Sequence, residues 1–342
     1  DSDALAQRLQ APCLHAPGRS FPVDVHYRPA QGQEDLLSHC IRVSREALRQ
    51  DGGDILLFMP GVGAINAFIE RWQDDSVSLF PLHGQLSDSQ QRQALAVHDK
   101  RKIIVATNIA ESSLTIEGVD IVIDSGLERV AVFQPSNGLQ SLQTRAISQA
   151  SAEQRSGRAG RQRAGQAFRL WGDSQHHSRA QHRDAEISRS DLAGLALELL
   201  KWGAQPQELL WLTPPPTALI NQANDLLEQL DIRTPQGTLS EHGQQCAQLG
   251  LEPRWAHALL LAAPHGCQRQ AAELAAYLQQ WPHNQRRSDD IERELAYAQR
   301  QPLWQQRIEP LCQRWLHALP AIEVTVETKL SLAQIVCLAF PD

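Results

Sequence analysis

The sequence predicts an α/β domain built on a parallel β-sheet, followed by a mainly helical region. Three short runs of Val, Ile and Leu, at residues 55–59, 103–106 and 119–123, alternate with stretches of helical periodicity at 64–72 and 89–97. Continuous apolar runs of this length are typical of strands that a parallel sheet buries on both faces. After residue 173 the composition shifts to Leu, Ala, Gln and Trp at helical spacing. A chain of 342 residues has room for roughly two or three such domains.

The other elements of the α/β part each have a local signal. Residues 1–10 have helical periodicity, 21–27 alternate like an edge strand, and 35–50 form an amphipathic helical pattern. An Asn-Gly pair between two β-prone runs predicts a hairpin over 129–145. A last strand at 166–171 completes the predicted domain.

The edge of the sheet at which the strands end is the first place to look for a ligand. Ligands of open parallel sheets bind beyond the carboxyl ends of the strands. Thr107 and Asn108 follow one predicted strand, and Pro60 and Gly61 follow another. We therefore expect these residues near a binding site.

The helical region contains two patterns. The first combines helices at 191–202 and 217–230 with a small hairpin at 232–239, and this order of elements predicts a winged-helix module. The second pattern consists of helical segments that include 254–263, 268–279 and 289–300. It predicts a helical bundle, in which the tryptophans are expected to pack in the core.

Composition limits the class of protein. The net charge of −7 gives no overall basic footprint, although arginines are concentrated at 145–189 and 286–314. No apolar run is long enough to span a membrane, and the first residues carry no signal-peptide pattern, so we expect a cytoplasmic protein. The six cysteines are scattered, without a CxxC pair, and predict free thiols and no metal site. Arginine outnumbers lysine about sevenfold, which suits a GC-rich bacterial genome.

Two motifs carry most of the functional information. Residues 154–161 read QRSGRAGR, and residues 105–118 read VATNIAESSLTIEG. Arg158 and Arg161 are three residues apart, a spacing that places both on one face of a helix. Guanidinium groups on such a face suit a phosphate whose charge grows during transfer. An isolated GRxGR fits a solvated, arginine-rich helix start equally well, but the second motif favours the phosphate interpretation.

With these motifs the chain resembles the DEAH-box (DExH) helicase family. The matching segments, in family order, are 18–23 (GRSFPV), 55–61 (ILLFMPG), 81–86 (PLHGQL), 105–118 and 154–161. The resemblance implies a RecA-like parallel-sheet domain of the P-loop NTPase superfamily, the second helicase domain, over 1–173, with a linker at 1–20. It further implies a winged-helix domain over 174–250 and a ratchet-like helical bundle over 251–342.

The resemblance also implies catalytic roles. Arg158 and Arg161 match the arginine fingers of the family, which stabilise the γ-phosphate in the transition state and are typically worth about 10³ to 10⁵ in rate. Gln154 matches the glutamine that orients the attacking water. Its amide both donates and accepts hydrogen bonds, as that role requires.

Three further residues match family contacts to RNA. Thr107 and Asn108 match residues that hold the nucleic-acid backbone without reading sequence. Arg129 matches a basic residue that contacts RNA. The partner implied is single-stranded RNA, with DNA as a further possibility.

Ser113, Thr115 and Glu117 match positions on the nucleotide side. Ser113 and Thr115 match residues that couple nucleotide state to the grip on the strand, whereas an isolated Ser or Thr is more simply a helix cap. Glu117 stands where relatives usually place an Asp near the ribose. Residues 86–105 contain no Phe, Tyr or Trp to stack on a base, so we expect weak discrimination among ATP, GTP, CTP and UTP.

A complete enzyme also needs a GxxxxGK[ST] loop and an acidic Mg²⁺ motif, and neither occurs in these residues. We therefore expect a carboxy-terminal fragment that lacks the first RecA-like domain and is inactive alone. Joined to that domain, it would use ATP or another NTP with Mg²⁺ and move 3′-to-5′ along RNA, as a monomer that does not bind membranes. The alternative is a natural non-catalytic nucleic-acid-binding adaptor. A start at Asp1-Ser2, with Met59 as the single methionine, favours the fragment.

Overall fold

The computed structural model describes residues 2–14, 21–111, 116–134, 138–282 and 285–341. By their internal contacts the residues form two units. The sheet unit comprises Pro12–Val132 and Ser141–Ala185. The helical unit comprises Asp1–Ala11, Phe133–Gln140 and Glu186–Asp342. The predicted linker at 1–20 lies partly outside the described residues.

The strands are β1 Val23–Tyr27, β2 Asp54–Phe58, β3 Ser78–Leu82, β4 Lys102–Ala106, β5 Val119–Asp124, β6 Leu127–Gln134, β7 Leu139–Ala146 and β8 Gly165–Arg169. The α-helices are α1 Ser2–Leu9, α2 Leu36–Leu48, α3 Val62–Arg71, α4 Asp88–Leu95, α5 Gln149–Ser156, α6 Asp173–His177, α7 Ala193–Trp202, α8 Thr217–Gln229, α9 Glu241–Gln248, α10 Pro253–Ala262, α11 Gln268–Gln280, α12 Ile291–Ala298, α13 Glu309–Ala318 and α14 Leu332–Ala339. Short 3₁₀ turns lie at 108–110, 186–188, 206–208 and 263–265, and a π-helical turn lies at 304–308.

Six strands of the sheet unit form one sheet in the order β1-β8-β5-β2-β4-β3, and each neighbouring pair is parallel. The apolar runs that predict strands at 55–59, 103–106 and 119–123 form β2, β4 and β5 at the centre of this sheet. The predicted α/β fold class is confirmed. The segment at 21–27 forms β1, which is an edge strand as its alternating pattern predicts.

Side chains of the central strands alternate between two cores. Leu57 of β2 belongs to the core that α2 and α3 cover. Leu56 of the same strand belongs to the opposite core, which includes Ala110 and Ala159 from the two motif segments. Because successive residues of a strand point to opposite faces, the sheet separates the α2–α3 layer from the layer that carries the motifs.

Strands β6 and β7 pair with each other as a separate two-stranded sheet, in the region where the sequence predicts a hairpin over 129–145. Residues 133–140 at its end group with the helical unit. There the backbone N–H of Phe133 donates to the carbonyl of Arg189 at 2.9 Å. The predicted turn residues 135–137 lie outside the described residues.

The helical unit has one continuous core, to which α7 to α14 contribute. A bridge between Arg233 and Leu239 closes a short turn at the place of the predicted small hairpin. Gly237 in this turn has a φ of 80°, a left-handed conformation that favours glycine. Trp255 and Trp315 are buried in the core, as the sequence predicts.

Among the helices of the described residues, none is both long and apolar enough to cross a membrane.

Candidate functional site

The two predicted finger arginines lie in the loop that follows α5. The hydroxyl of Ser148 caps the start of the helix by accepting from the N–H of Ser151 at 3.1 Å, and the helix ends at Ser156. Arg158 and Arg161 therefore lie in turns beyond the helix, and the prediction of a shared helix face is wrong. The physical reason is the pair of glycines in the motif, because glycine destabilises a helix interior by about 1 kcal/mol.

The two arginines differ in exposure. Arg161 is exposed, whereas Arg158 is only 5% exposed. Burial lowers the pKa of Arg158, the charge of Arg161 lowers this pKa further, and the carboxylate of Glu111 opposes both effects. An arginine stays protonated at neutral pH despite such shifts. Arg158 is therefore a partly desolvated cation, and its attraction for an anion is stronger than that of an exposed one.

Residues 157–164, between α5 and β8, are called the finger loop below. Gly160 holds this loop against the sheet. Its carbonyl accepts from the N–H of Phe21 at 2.9 Å. A Cβ at position 160 would lie 2.5 Å from the carbonyl oxygen of Phe21. Any larger residue would push the loop away from the segment that leads into β1.

Glu117 lies in the turn that precedes β5, beside the finger loop. Its side chain is exposed. The N–H of the next residue, Gly118, donates to the side-chain oxygen of Gln162 at 3.1 Å, and Gln162 directly follows Arg161. The structure thus brings Glu117 and Arg161 onto two loops that are hydrogen-bonded to each other.

Of the other residues predicted on the nucleotide side, the structure describes Gln154 but not Ser113 or Thr115. Gln154 is exposed on α5, about one helical turn before Arg158. Ser113 and Thr115 lie outside the described residues.

Thr107, Asn108 and Arg129 lie at the carboxyl edge of the sheet. Thr107 follows β4, and its N–H donates to the carbonyl of Leu82 at 3.1 Å. Asn108 begins a 3₁₀ turn with its side chain exposed.

Arg129 joins this edge from β6. Its N–H donates to the carbonyl of Pro60 at 3.1 Å. Its side chain passes over Gly61, where a Cβ would lie 2.8 Å from Cδ of Arg129. Thr107 and Asn108 directly follow β4, and Arg129 of β6 contacts Pro60, which lies just beyond the neighbouring strand β2. Glu117, before the amino end of β5, is at the opposite edge.

A buried arginine that the sequence reasoning did not select connects the two motifs. Arg155 is 1% exposed, with Nε 3.1 Å from a carboxylate oxygen of Glu111 and Nη1 2.9 Å from one of Asp124. Its guanidinium carbon lies 4.8 Å from the centre of the Phe58 ring. Burial disfavours the charge, but the two carboxylates outweigh burial and hold the pKa of Arg155 above its ordinary value.

Arg183 extends the ion-pair network. Its Nη2 lies 3.2 Å from Glu111, 2.7 Å from Glu128 and 3.3 Å from the hydroxyl of Ser151. Arg155 lies within the motif at 154–161, which is a sequence signal for it, but no local pattern marks Arg183. Glu111 accepts from both Arg155 and Arg183, three residues after Asn108, so it joins the segment at the carboxyl edge to the helix that leads into the finger loop.

The described residues contain no group of three or more His, Cys, Asp or Glu side chains arranged to hold a metal ion. The side chains gathered at the candidate site are mainly arginines and polar groups, which suit an anionic ligand. The site offers the arginines of a phosphate-binding site without a phosphate-binding GxxxxGK[ST] loop.

Comparison with known proteins places this arrangement in a family. The model of the helicase conserved C-terminal domain matches residues 34–163. The ATP-dependent RNA helicase HrpB of Escherichia coli K12 is 40% identical over 321 residues, which cover 92% of this chain and 39% of HrpB. A crystal structure of the E. coli DExH-box NTPase HrpB superposes with a TM-score of 0.85 at 38% identity and covers 100% of this chain and 42% of that one.

The chain belongs to the DEAH-box (DExH) helicase family. The resemblance that the motifs predict is confirmed. Another relative in this family is the probable ATP-dependent RNA helicase DHR2 of Saccharomyces cerevisiae, 34% identical over 78% of this chain and 38% of its own length. The chain spans about two fifths of the length of HrpB.

Proposed function

We propose that this chain is the second RecA-like domain and the following helical domains of an NTP-driven RNA helicase. The observation that carries the proposal is that a cluster of arginines suited to phosphate and a row of polar residues suited to RNA lie on the same sheet, joined by an ion pair. The finger loop, with Arg158 and Arg161, lies beside the turn of Glu117. Thr107, Asn108 and Arg129 lie at the carboxyl edge, and Glu111 and Arg155 connect the two regions.

On the nucleotide side, Arg158 and Arg161 would neutralise charge that grows on the γ-phosphate. Gln154 would orient the attacking water, and Glu117 would approach the ribose. Ser113 and Thr115 would link nucleotide state to strand grip. The two arginines fit a triphosphate, but the described residues offer no carboxylate cluster for Mg²⁺. The first RecA-like domain would therefore supply the magnesium ligands and the phosphate loop.

On the RNA side, Thr107 and Asn108 would hydrogen-bond to phosphate oxygens, and Arg129 would add a positive charge. Such contacts hold the backbone without reading sequence, so binding would be salt-sensitive. We propose 3′-to-5′ movement, with the β6–β7 hairpin and the helical bundle shaping the channel of the strand. The absence of an aromatic at 86–105 supports weak discrimination among the four NTPs.

The domain limits 1–173, 174–250 and 251–342 belong to the same proposal. The order of α7, α8, the bridged turn and α9 supports a winged-helix module, and the core shared by α10 to α14 supports a helical bundle. We further propose a cytoplasmic bacterial protein that acts as a monomer.

Thr107 and Asn108 can be tested together by a double substitution that removes both proposed RNA contacts. Thr107→Ala with Asn108→Ala is expected to weaken the binding of single-stranded RNA by about 5- to 30-fold, because two hydrogen bonds to phosphate are lost. The salt dependence should stay unchanged, since neither side chain releases counterions. Arg129→Ala should instead reduce the slope of log K against log salt by about 0.7. Fluorescence anisotropy over a salt series measures both quantities.

A matched control is Thr217→Ala with Asn221→Ala, an exposed Thr/Asn pair on α8. This control should bind RNA like the unmodified chain. Equal affinity of the Thr107/Asn108 variant and the unmodified chain would refute the assignment of the carboxyl edge to RNA.

A further inference from the structure

The α2–α3 layer carries a groove that the proposed function does not use. Its volume is about 760 Å³. The lining residues are Ser38, Ile41, Arg42, Arg45, Glu46, Arg49, Arg71 and Gln73. The lining therefore contains four arginines and one carboxylate, in a chain whose net charge is −7.

The groove lies across the sheet from the two motif segments. Helices α2 and α3 cover the core that contains Leu57. Ala110 and Ala159, from the two motif segments, pack in the core on the opposite face. A ligand in the groove would therefore be separated by the sheet from the finger loop and would need its own contacts.

Ion pairs hold part of the basic lining in place. Arg42 makes a two-pronged contact with Glu34, with Nε at 3.0 Å from one carboxylate oxygen and Nη2 at 3.0 Å from the other. The carboxylate of Glu46 accepts from Arg28 at 2.9 Å. Because Arg28 offsets the charge of Glu46, the single acidic residue in the lining contributes little negative potential.

Arg45 and Arg49 are the available donors. Both are exposed, and across the described ranges of the chain no hydrogen bond or ion pair engages either guanidinium group. Arg45 lies over the ring of Trp72 with its guanidinium carbon 5.8 Å from the ring centre, which orients the side chain. Arg71 adds a third exposed cation, held loosely by Asp35 at 3.5 Å.

The helix places these donors in a row. Arg42 and Arg45 share one face of α2, and Arg49, which caps the end of the helix in a helical conformation, continues their three- and four-residue spacing. The step from Arg45 to Arg49 advances about 6 Å along the helix axis. Two guanidinium groups at this spacing can contact two successive phosphates of an extended strand.

We infer that the α2–α3 groove is a second binding site for the phosphate backbone of single-stranded RNA. Arg45 and Arg49 make the phosphate contacts, because the charges of Arg42 and Arg71 are offset by their partners Glu34 and Asp35. An acidic protein segment is disfavoured because stable protein interfaces are anchored by buried apolar or aromatic side chains. In this groove the one apolar lining residue, Ile41, is 8% exposed.

The test uses the 342-residue chain and a labelled oligouridine of about 12 nucleotides. Arg45→Ala with Arg49→Ala should weaken binding about 5- to 30-fold at low salt. It should also reduce the magnitude of the slope of log K against log salt by about 1.4, from two lost phosphate contacts. Arg45→Lys with Arg49→Lys should restore most of the slope, because lysine keeps the charge. Arg92→Ala with Lys100→Ala, two exposed cations elsewhere in the sheet unit, is the charge-matched control.

Crosslinking separates this site from the carboxyl edge. An oligouridine containing 4-thiouridine should crosslink to peptides from α2 and α3, and these crosslinks should persist in the Thr107→Ala, Asn108→Ala variant. Unchanged RNA affinity and salt slope in the Arg45/Arg49 double alanine variant, with unchanged circular dichroism, would overturn the inference. Loss of polyglutamate binding in that variant, with RNA binding intact, would overturn it in favour of an acidic protein partner.

Discussion

Replacing Arg158 by Ala, in the polypeptide that joins this chain to a first RecA-like domain, is expected to slow NTP hydrolysis by about 10³- to 10⁵-fold. Arg158 is buried to 5% exposure in the finger loop, where its charge is poorly screened by water. Its contact would form with charge that develops only in the transition state, so kcat and kcat/KM should fall together. Steady-state phosphate release with saturating RNA measures both constants. Arg161→Ala should act in the same direction.

Arg163 offers a control in the same loop. It is 59% exposed and pairs with Asp120 rather than with the proposed site. Arg163→Ala should leave turnover within about threefold of the unmodified protein, as is usual for an exposed ion pair. If Arg158→Ala kept more than about a tenth of the turnover, Arg158 would not be a finger, since a finger contributes at least about 10³.

Arg155→Ala is expected to lower the free energy of unfolding of the sheet unit by about 3–5 kcal/mol. The substitution leaves the carboxylates of Glu111 and Asp124, 8% and 1% exposed, without their shared cation. For a unit of this size the melting temperature should fall by about 6–20 °C. Differential scanning calorimetry of the 342-residue chain measures the change.

Arg183→Ala tests whether the loss of stability depends on the burial of the arginine that is removed from the network. Arg183 is 38% exposed, so water can replace much of its contact with Glu111 and Glu128, and the loss should be about 1 kcal/mol or less. Arg155→Met combined with Glu111→Gln and Asp124→Asn should recover part of the stability, because no unpaired charge stays buried. A melting temperature within about 2 °C of the unmodified chain for Arg155→Ala would show that the ion pairs do not stabilise the fold.

Local patterns predicted the centre of the sheet well and one of its edges poorly. The apolar run at 55–59 corresponds to β2 at Asp54–Phe58 because a strand buried on both faces must be apolar throughout. Strand β3 at Ser78–Leu82 was not predicted. It is half-buried at the edge of the sheet and contains Pro81, a residue that cannot donate a ladder hydrogen bond and that usually marks an edge strand or no strand.

Residues of the candidate site that belong to a sequence motif could be predicted from the sequence. Contacts between residues far apart in the sequence could not. Pattern alone selected Arg158 and Arg161, but the end of α5 at Ser156 and the burial of Arg158 depend on packing. The contact between Arg155 and Glu111 joins residues 44 positions apart, and that between Arg183 and Glu111 spans 72 positions. No periodicity of the sequence encodes such contacts.

The central claim is that the finger loop acts on a nucleotide whose phosphate loop is supplied by another RecA-like domain. The most direct measurement is RNA-stimulated phosphate release from ATP by the 342-residue chain alone and by the polypeptide that also carries that domain. We predict no turnover above the blank for the chain alone and RNA-stimulated turnover for the longer polypeptide. Robust hydrolysis by the chain alone, unaffected by Arg158→Ala, would contradict the claim.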